Sequence, residues 1–227
     1  MTEGYDKVTA VQHLRRADFL LSAHIDSVGP CTLNPPPDAG THMLFDRLAS
    51  SILSQQLSAK AAATIAGRLR DRASTTGHTS PTGARPLLAP GLVAALSDEE
   101  LRACGISRPK VAALRDLADA VRSGRIPTLE VLRGYDDDDV ISALTAVRGI
   151  GRWTAEMQLI FLLDRPDVFP LADVGVRRGF ERVLGLEAKA TPAQMAEHAQ
   201  AWAPSRSVAS WYLWRAVDQT GESAPPA

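Results

Sequence analysis

Apolar residues in this chain recur at helical spacing, and no segment alternates convincingly as a strand would. That pattern points to an all-helical bundle rather than a parallel sheet. Residues 8–27 read as one helix with Val11, Leu14, Leu20 and Leu21 inward. Helices are expected over 42–54 and 58–72, the second carrying Ala61, Ala62, Ile65, Ala66 and Leu69 on one face. Ser97 with Glu100 forms a capping box and opens a short helix that Gly105 stops. Residues 108–122 repeat Val111, Leu114, Leu117, Ala118 and Val121, ended by Gly124. Further helices are expected over 137–147, 152–164, 173–184 and 205–219. One more starts at Thr191-Pro192, with Pro at the first helical position. The total is roughly ten helices.

Gly29-Pro30 opens a loop that runs through Pro35-Pro36-Pro37 to Gly40. Residues 74–90, rich in Ser, Thr, Gly and Pro, read as a long exposed loop, and 221–227 as a disordered tail. A chain of 227 residues can bury one core or two lobes sharing a cleft. We expect a helical lobe over 44–160 that ends in a hairpin at 148–151. The second lobe takes 1–43 with 161–220 and carries Asp173 and Trp214.

The formal net charge is −1 and the isoelectric point about 6.5, which does not advertise nucleic-acid binding. A DNA contact would need local patches: Arg68/Arg70/Arg72, Arg148/Arg152 or Arg177/Arg178/Arg182. The alternative for each is a solvated helix face. Cys31 and Cys104 stand far apart with no Cys-x-x-Cys, against a disulfide framework or an iron–sulfur site. The five histidines lack metal-ligand spacing, and no apolar run reaches bilayer length. Charges occur throughout the first twenty residues, unlike a secretory signal. These features predict a soluble cytoplasmic protein with no membrane association.

Asp136–Asp139 precede the apolar run Val140–Val147 and suit a helix N-terminus better than a metal site. Arg148-Gly149-Ile150-Gly151 then separates two helical segments, giving a helix–hairpin–helix unit. Gly149 and Gly151 permit close backbone approach and positive φ. Ile150 points inward and locks the two helices. The amides of Gly151–Trp153 open a helix whose dipole favours a phosphate oxygen, and Thr154 adds a hydroxyl. Such a unit grips a DNA backbone without reading sequence. The competing interpretation is a helix turn with Gly at a C-cap.

Four segments occur in order: Leu53-Ser54-Gln55-Gln56-Leu57-Ser58, Arg148 to Glu156, Phe169 to Arg177, and Trp211-Tyr212-Leu213-Trp214-Arg215. Together they resemble the helix–hairpin–helix superfamily of DNA glycosylases, most closely its 3-methyladenine-DNA glycosylase II branch. The resemblance implies the compact helical form, without the N-terminal sheet domain of longer relatives. It implies excision of alkylated purines (3-methyladenine, 7-methylguanine) from damaged duplex DNA by base flipping, leaving an abasic site.

In that family the aspartate after the hairpin is catalytic, and Asp173 occupies its place. Asp173 also reads as a helix cap, and the two roles are compatible. Cleavage builds positive charge on the sugar, which a carboxylate stabilises while it orients or deprotonates water. Trp153 stands where bifunctional relatives carry a Schiff-base lysine, which implies hydrolysis without strand nicking. Lys110 and Lys189 are the nearest lysines in sequence. Trp214 falls where relatives stack an aromatic on the extruded base, and Trp153 is expected in the same pocket; Trp202 and Trp211 read as core.

Gln56 lies where relatives insert a plug into the opened stack, with Gln55 the neighbouring alternative. Met157 and Val174 replace aromatics of some relatives, which suggests a roomier pocket able to admit ethenoadenine. Arg148, Gly149, Gly151 and Thr154 would hold the DNA backbone. No cofactor is required, although Na+ or K+ could sit on the main-chain carbonyls of Thr145, Val147 and Ile150. Alternatives are a non-catalytic helix–hairpin–helix DNA-binding module and a glycosylase for other damaged bases.

Overall fold

The computed structural model describes residues 5–34, 36, 40–75 and 87–218. Among them lie thirteen α-helices and one 3₁₀ turn, with no strand. The expected single helix over 8–27 is two, α1 (Lys7–Ala17) and α2 (Phe19–Val28), broken at Asp18. The backbone there is extended, with φ −148° and ψ 114°. The Asp18 N–H donates to Leu14 O, and its carboxylate accepts from the Leu20 and Leu21 N–H groups at 3.0 Å. An aspartate satisfies a helix start better than a helix interior, so periodicity alone ran through the break. Its second oxygen accepts from Trp202 Nε1 at 3.1 Å and stands 2.7 Å from His198 Nε2. Burial opposes the charge, but the bonds from Leu21, His198 and Trp202 outweigh it and hold the carboxyl below its ordinary range.

The chain divides into two compact units, one holding 36–155 and the other the remaining residues. Against the expected boundaries at 43/44 and 160/161, the divisions fall before a helix that starts at Thr41 and inside a helix that starts at Arg152. The first difference has a simple cause. Leu44, Phe45 and Leu48 of one continuous helix are buried in the 36–155 unit, so the whole element belongs there.

That unit contains α3 (Thr41–Ser54), α4 (Ala59–Thr75), α5 (Pro90–Ala95), α6 (Asp98–Ala103) and α7 (Arg108–Arg122). It continues through α8 (Leu129–Arg133), α9 (Asp137–Thr145) and the first turn of α10 (Arg152–Phe161). The apolar face of α3 packs on α7, burying Ile52 and Leu53 with Leu114 and Leu117. The capping box at Ser97 forms as expected: Glu100 N–H donates to Ser97 Oγ at 3.2 Å and Ser97 N–H to Glu100 Oε2 at 2.7 Å. The helix α4 runs to Thr75 and α5 starts at Pro90, so both ends of the expected 74–90 loop are helical. Positions 76–86 lie outside the described residues, as do 35, 37–39 and the tail 221–227. The five-residue α8, capped by Thr128, is too short to betray itself by periodicity.

In the other unit, α11 (Val174–Val183) crosses α13 (Arg206–Asp218), with α12 (Pro192–His198) and a 3₁₀ turn (Ala199–Trp202) beside them. Gly179 makes the crossing possible: a Cβ there would sit 2.0 Å from Leu213 O. Trp202 is fully buried, with the rings of Phe169, Phe180 and His198 edge-on around it. Trp211 is also buried, as the core assignment required. Cys31 and Cys104 are free thiols. No helix among the described residues is long and apolar enough to cross a membrane.

Candidate functional site

Asp173 caps α11, with φ −74° and ψ 123° and its side chain accepting from Val176 N–H at 2.7 Å. The same oxygen, Oδ1, accepts from Trp214 Nε1 at 3.0 Å. Two donors on one oxygen fix the plane of the carboxylate. Asp173 is 5% exposed, and Gly175 explains how the indole reaches it. A Cβ on Gly175 would lie 2.9 Å from Trp214 Cδ1 and 3.1 Å from Asp173 Oδ1.

Trp214 itself departs from expectation. It is 1% exposed and stacks on Phe161 at 5.4 Å and 25°. A buried indole N–H needs an acceptor, and Asp173 supplies it. In this structure Trp214 therefore anchors the acid rather than offering a face to an extruded base. Met157 is buried as well, whereas Val174 is 53% and Trp153 37% exposed. The four residues assigned to the base pocket thus separate into two interior and two surface positions.

In the hairpin, Gly149 has φ +81° and a Cβ there would meet Ala113 Cβ at 3.2 Å, so glycine is required by the fold. Gly151 differs. Its φ is not positive, and a Cβ would meet nothing within 4 Å, so the fold itself does not demand glycine there. Ile150 is buried, and its N–H donates to Val147 O at 3.1 Å. The Thr154 hydroxyl is not presented for backbone contact. The residue is 5% exposed, and Oγ1 lies 3.3 Å from Ser51 Oγ. Asp136 caps α9 by accepting from Asp139 N–H at 2.9 Å, as its acidic run suggested.

The loop after α3 distinguishes the two glutamines. Gln55 Nε2 donates to Gly149 O at 2.8 Å, tying that side chain to the hairpin. Gln56 is exposed with φ +58°, one of two non-glycine residues in the left-handed region among those described. Such a conformation costs on the order of 1–3 kcal/mol and persists only when its surroundings hold it. Both glutamines are exposed, but Gln55 is held by the hairpin carbonyl while Gln56 follows it in the left-handed turn.

The arginine patches also sort out. Arg70 is buried on Asp46 at 2.6 Å, and Arg72 stands 3.6 Å from Glu100. Arg177 pairs with Glu181 at 3.1 Å, and Arg182 Nη1 donates to Ala216 O at 2.7 Å. These side chains serve their own unit. Arg148 is exposed, and its backbone N–H donates to Asp116 Oδ2 at 2.7 Å. That bond, with Arg125 beside it, holds the Asp116 carboxyl below its ordinary range. Sequence reasoning gave no role to Ser51, Asp116, Phe161 and Gly175, whose contacts with Thr154, Arg148 and Trp214 join residues remote in sequence.

Several known proteins are similar to this chain. DNA-3-methyladenine glycosylase 1 of Schizosaccharomyces pombe is 36% identical over 171 residues, covering 75% of this chain and 71% of that one. A solved Bacillus halodurans DNA-3-methyladenine glycosidase superposes with a TM-score of 0.79 at 34% identity, covering 96% of this chain and 92% of that one. The S. pombe 3-methyladenine DNA glycosylase solved with abasic DNA superposes with a TM-score of 0.75 at 32% identity, covering 92% and 97%. The family model described as HhH-GPD superfamily base excision DNA repair protein matches residues 49–205, and the chain belongs to that family.

Proposed function

We propose that this protein is a monofunctional DNA glycosylase of the 3-methyladenine class, which hydrolyses alkylated purines from damaged duplex DNA and leaves an abasic site. The observation that carries the reading is the Asp173 carboxylate, fixed by Val176 N–H and Trp214 Nε1 at the head of α11. As the glycosidic bond lengthens, positive charge grows on the sugar. A pre-oriented carboxylate stabilises that charge without reorganising and takes the proton of the attacking water. An alkylated purine leaves readily because it already carries positive charge.

The hairpin grips the backbone through the amides at the start of α10 and through Arg148. Gln56 fills the gap left by the flipped nucleotide. Trp153 cannot form a Schiff base, and Lys110 Nζ donates to Leu53 O and Gln55 O, at 2.7 and 2.8 Å. Both features support hydrolysis without strand cleavage.

The carbonyl oxygens of Thr145, Val147 and Ile150 are hard donors of the kind that hold Na+ or K+. Val147 O already accepts from Ile150 N–H and retains a second lone pair. A cation there would add positive potential beside a bound phosphate; the chemistry itself needs no cofactor. We further propose a monomer acting in the cytoplasm, on the nucleoid in a bacterium, a setting compatible with the free thiols Cys31 and Cys104.

The test is excision from duplexes carrying 3-methyladenine, 7-methylguanine, ethenoadenine or hypoxanthine, scored by alkali cleavage. Asp173→Asn should lose on the order of 100-fold or more in single-turnover rate. Retained activity in that variant would remove Asp173 from the chemistry. Borohydride should trap no covalent DNA adduct.

A further inference from the structure

One face of α7 holds both the Gln56 loop and the hairpin turn. Lys110, Ala113 and Asp116 follow at three-residue intervals and so project to the same side. Lys110 Nζ donates to Leu53 O at 2.7 Å and to Gln55 O at 2.8 Å, bridging the C-terminal end of α3. Carbonyls at a helix end lack intrahelical partners and carry partial negative charge, which an ammonium with several donors can satisfy at once. Ala113 packs where Gly149 has no Cβ. Asp116 takes the Arg148 N–H at 2.7 Å and is itself braced by Arg125 Nη2 at 2.6 Å. Gln55 closes the circuit by donating from Nε2 to Gly149 O at 2.8 Å. All of these residues belong to the 36–155 unit. Gln56, left-handed and exposed, sits beside this brace.

We propose that Lys110 and Gln55 are positioning residues for excision, locking the Gln56 loop to the hairpin turn so that plug and backbone grip act as one rigid piece. The proposal rests on the reading of Gln56 as the plug. An unbraced loop would relax out of the left-handed conformation and would have to be reordered on each binding event. The brace meets that ordering cost during folding instead. Lys110 touches neither the sugar nor the base and acts through the shape of the loop.

The discriminating experiment compares single-turnover excision of 7-methylguanine from a fully paired duplex with excision of the same lesion in a bulge that lacks the opposing nucleotide. On the paired duplex, Lys110→Met and Gln55→Ala should each slow excision by about tenfold, the scale expected when a contacting group is misplaced. On the bulge, where extrusion is already easy, the loss should stay within about twofold. Lys110→Arg should recover most of the paired-duplex rate. In a Gln56→Ala background, Lys110→Met should add less than about twofold, because residues acting through one another are not additive. Equal losses on both substrates, or full additivity with Gln56→Ala, would make Lys110 merely structural and overturn the proposal. Rates unchanged in both single variants would overturn it too. If Lys110→Met fails to fold, Gln55→Ala carries the test, since that side chain is exposed. A wild-type protein that excises no lesion from either substrate would instead sink the glycosylase reading and this proposal with it.

Discussion

Asp173 draws its orientation from two residues that lie far apart in the chain. Val176 N–H comes with the cap, whereas Trp214 Nε1 arrives from α13 and reaches Oδ1 only because Gly175 leaves room. Trp214→Phe keeps an aromatic ring beside Phe161 but removes the donor, together with part of the volume of a fully buried indole. Single-turnover excision by this variant should fall about tenfold, because the carboxylate loses the donor that reaches it from α13. Its affinity for abasic-site duplex should hold. A melting curve should show a cost of at least about 1–3 kcal/mol, the penalty for withdrawing a donor from a buried acceptor, to which the space left by the smaller ring adds. An unchanged excision rate would mean that the indole N–H has no part in aiming the acid.

Among the elements, the α11–α13 crossing is the least forgiving. In Gly179→Ala a methyl group would have to occupy space 2.0 Å from Leu213 O, which is backbone and cannot step aside. Denaturant unfolding should report a loss of about 3 kcal/mol or more, the upper range for overpacking. The α1–α2 break makes a prediction in pH. Hydrogen bonds hold the folded Asp18 carboxyl below its unfolded value despite the opposing effect of burial. Its contribution to stability is therefore full above the unfolded pKa of about 3.9 and is lost as pH falls through the lower folded value. Asp18→Asn keeps a capping side chain but removes the titration. The stability gap between wild type and Asp18→Asn should shrink as pH falls below about 4. A gap that stays constant through acid would contradict the assignment.

For the molecule as a whole, a net charge of −1 means that DNA binding depends on a few local cations rather than a broad basic face. With Arg70, Arg177 and Arg182 committed internally, Arg148 is an exposed cation at the hairpin turn, on a backbone fixed by Asp116, and Arg152, 3.9 Å from Asp138, is exposed beside it. Affinity for duplex should fall with added salt. Arg148→Ala should weaken binding evenly across sequences and reduce the logarithmic salt slope by about one. A slope unaltered by that change would exclude a phosphate contact.

The sequence by itself determined the helical class, the capping box at Ser97, the helix start at Thr191-Pro192, the hairpin and the place of Asp173 at a helix cap. Each of these is a local signal, because helix periodicity, caps and turns are written within about a turn of the residues concerned. Only tertiary structure decided that Trp214 anchors the acid, that Thr154 faces Ser51, that Gln55 is tied down while Gln56 follows it in the left-handed turn, and that α7 braces the loop and the turn together. Those outcomes depend on which buried polar groups find partners across large separations in the chain. No local pattern encodes that pairing, because it is fixed only when the elements pack.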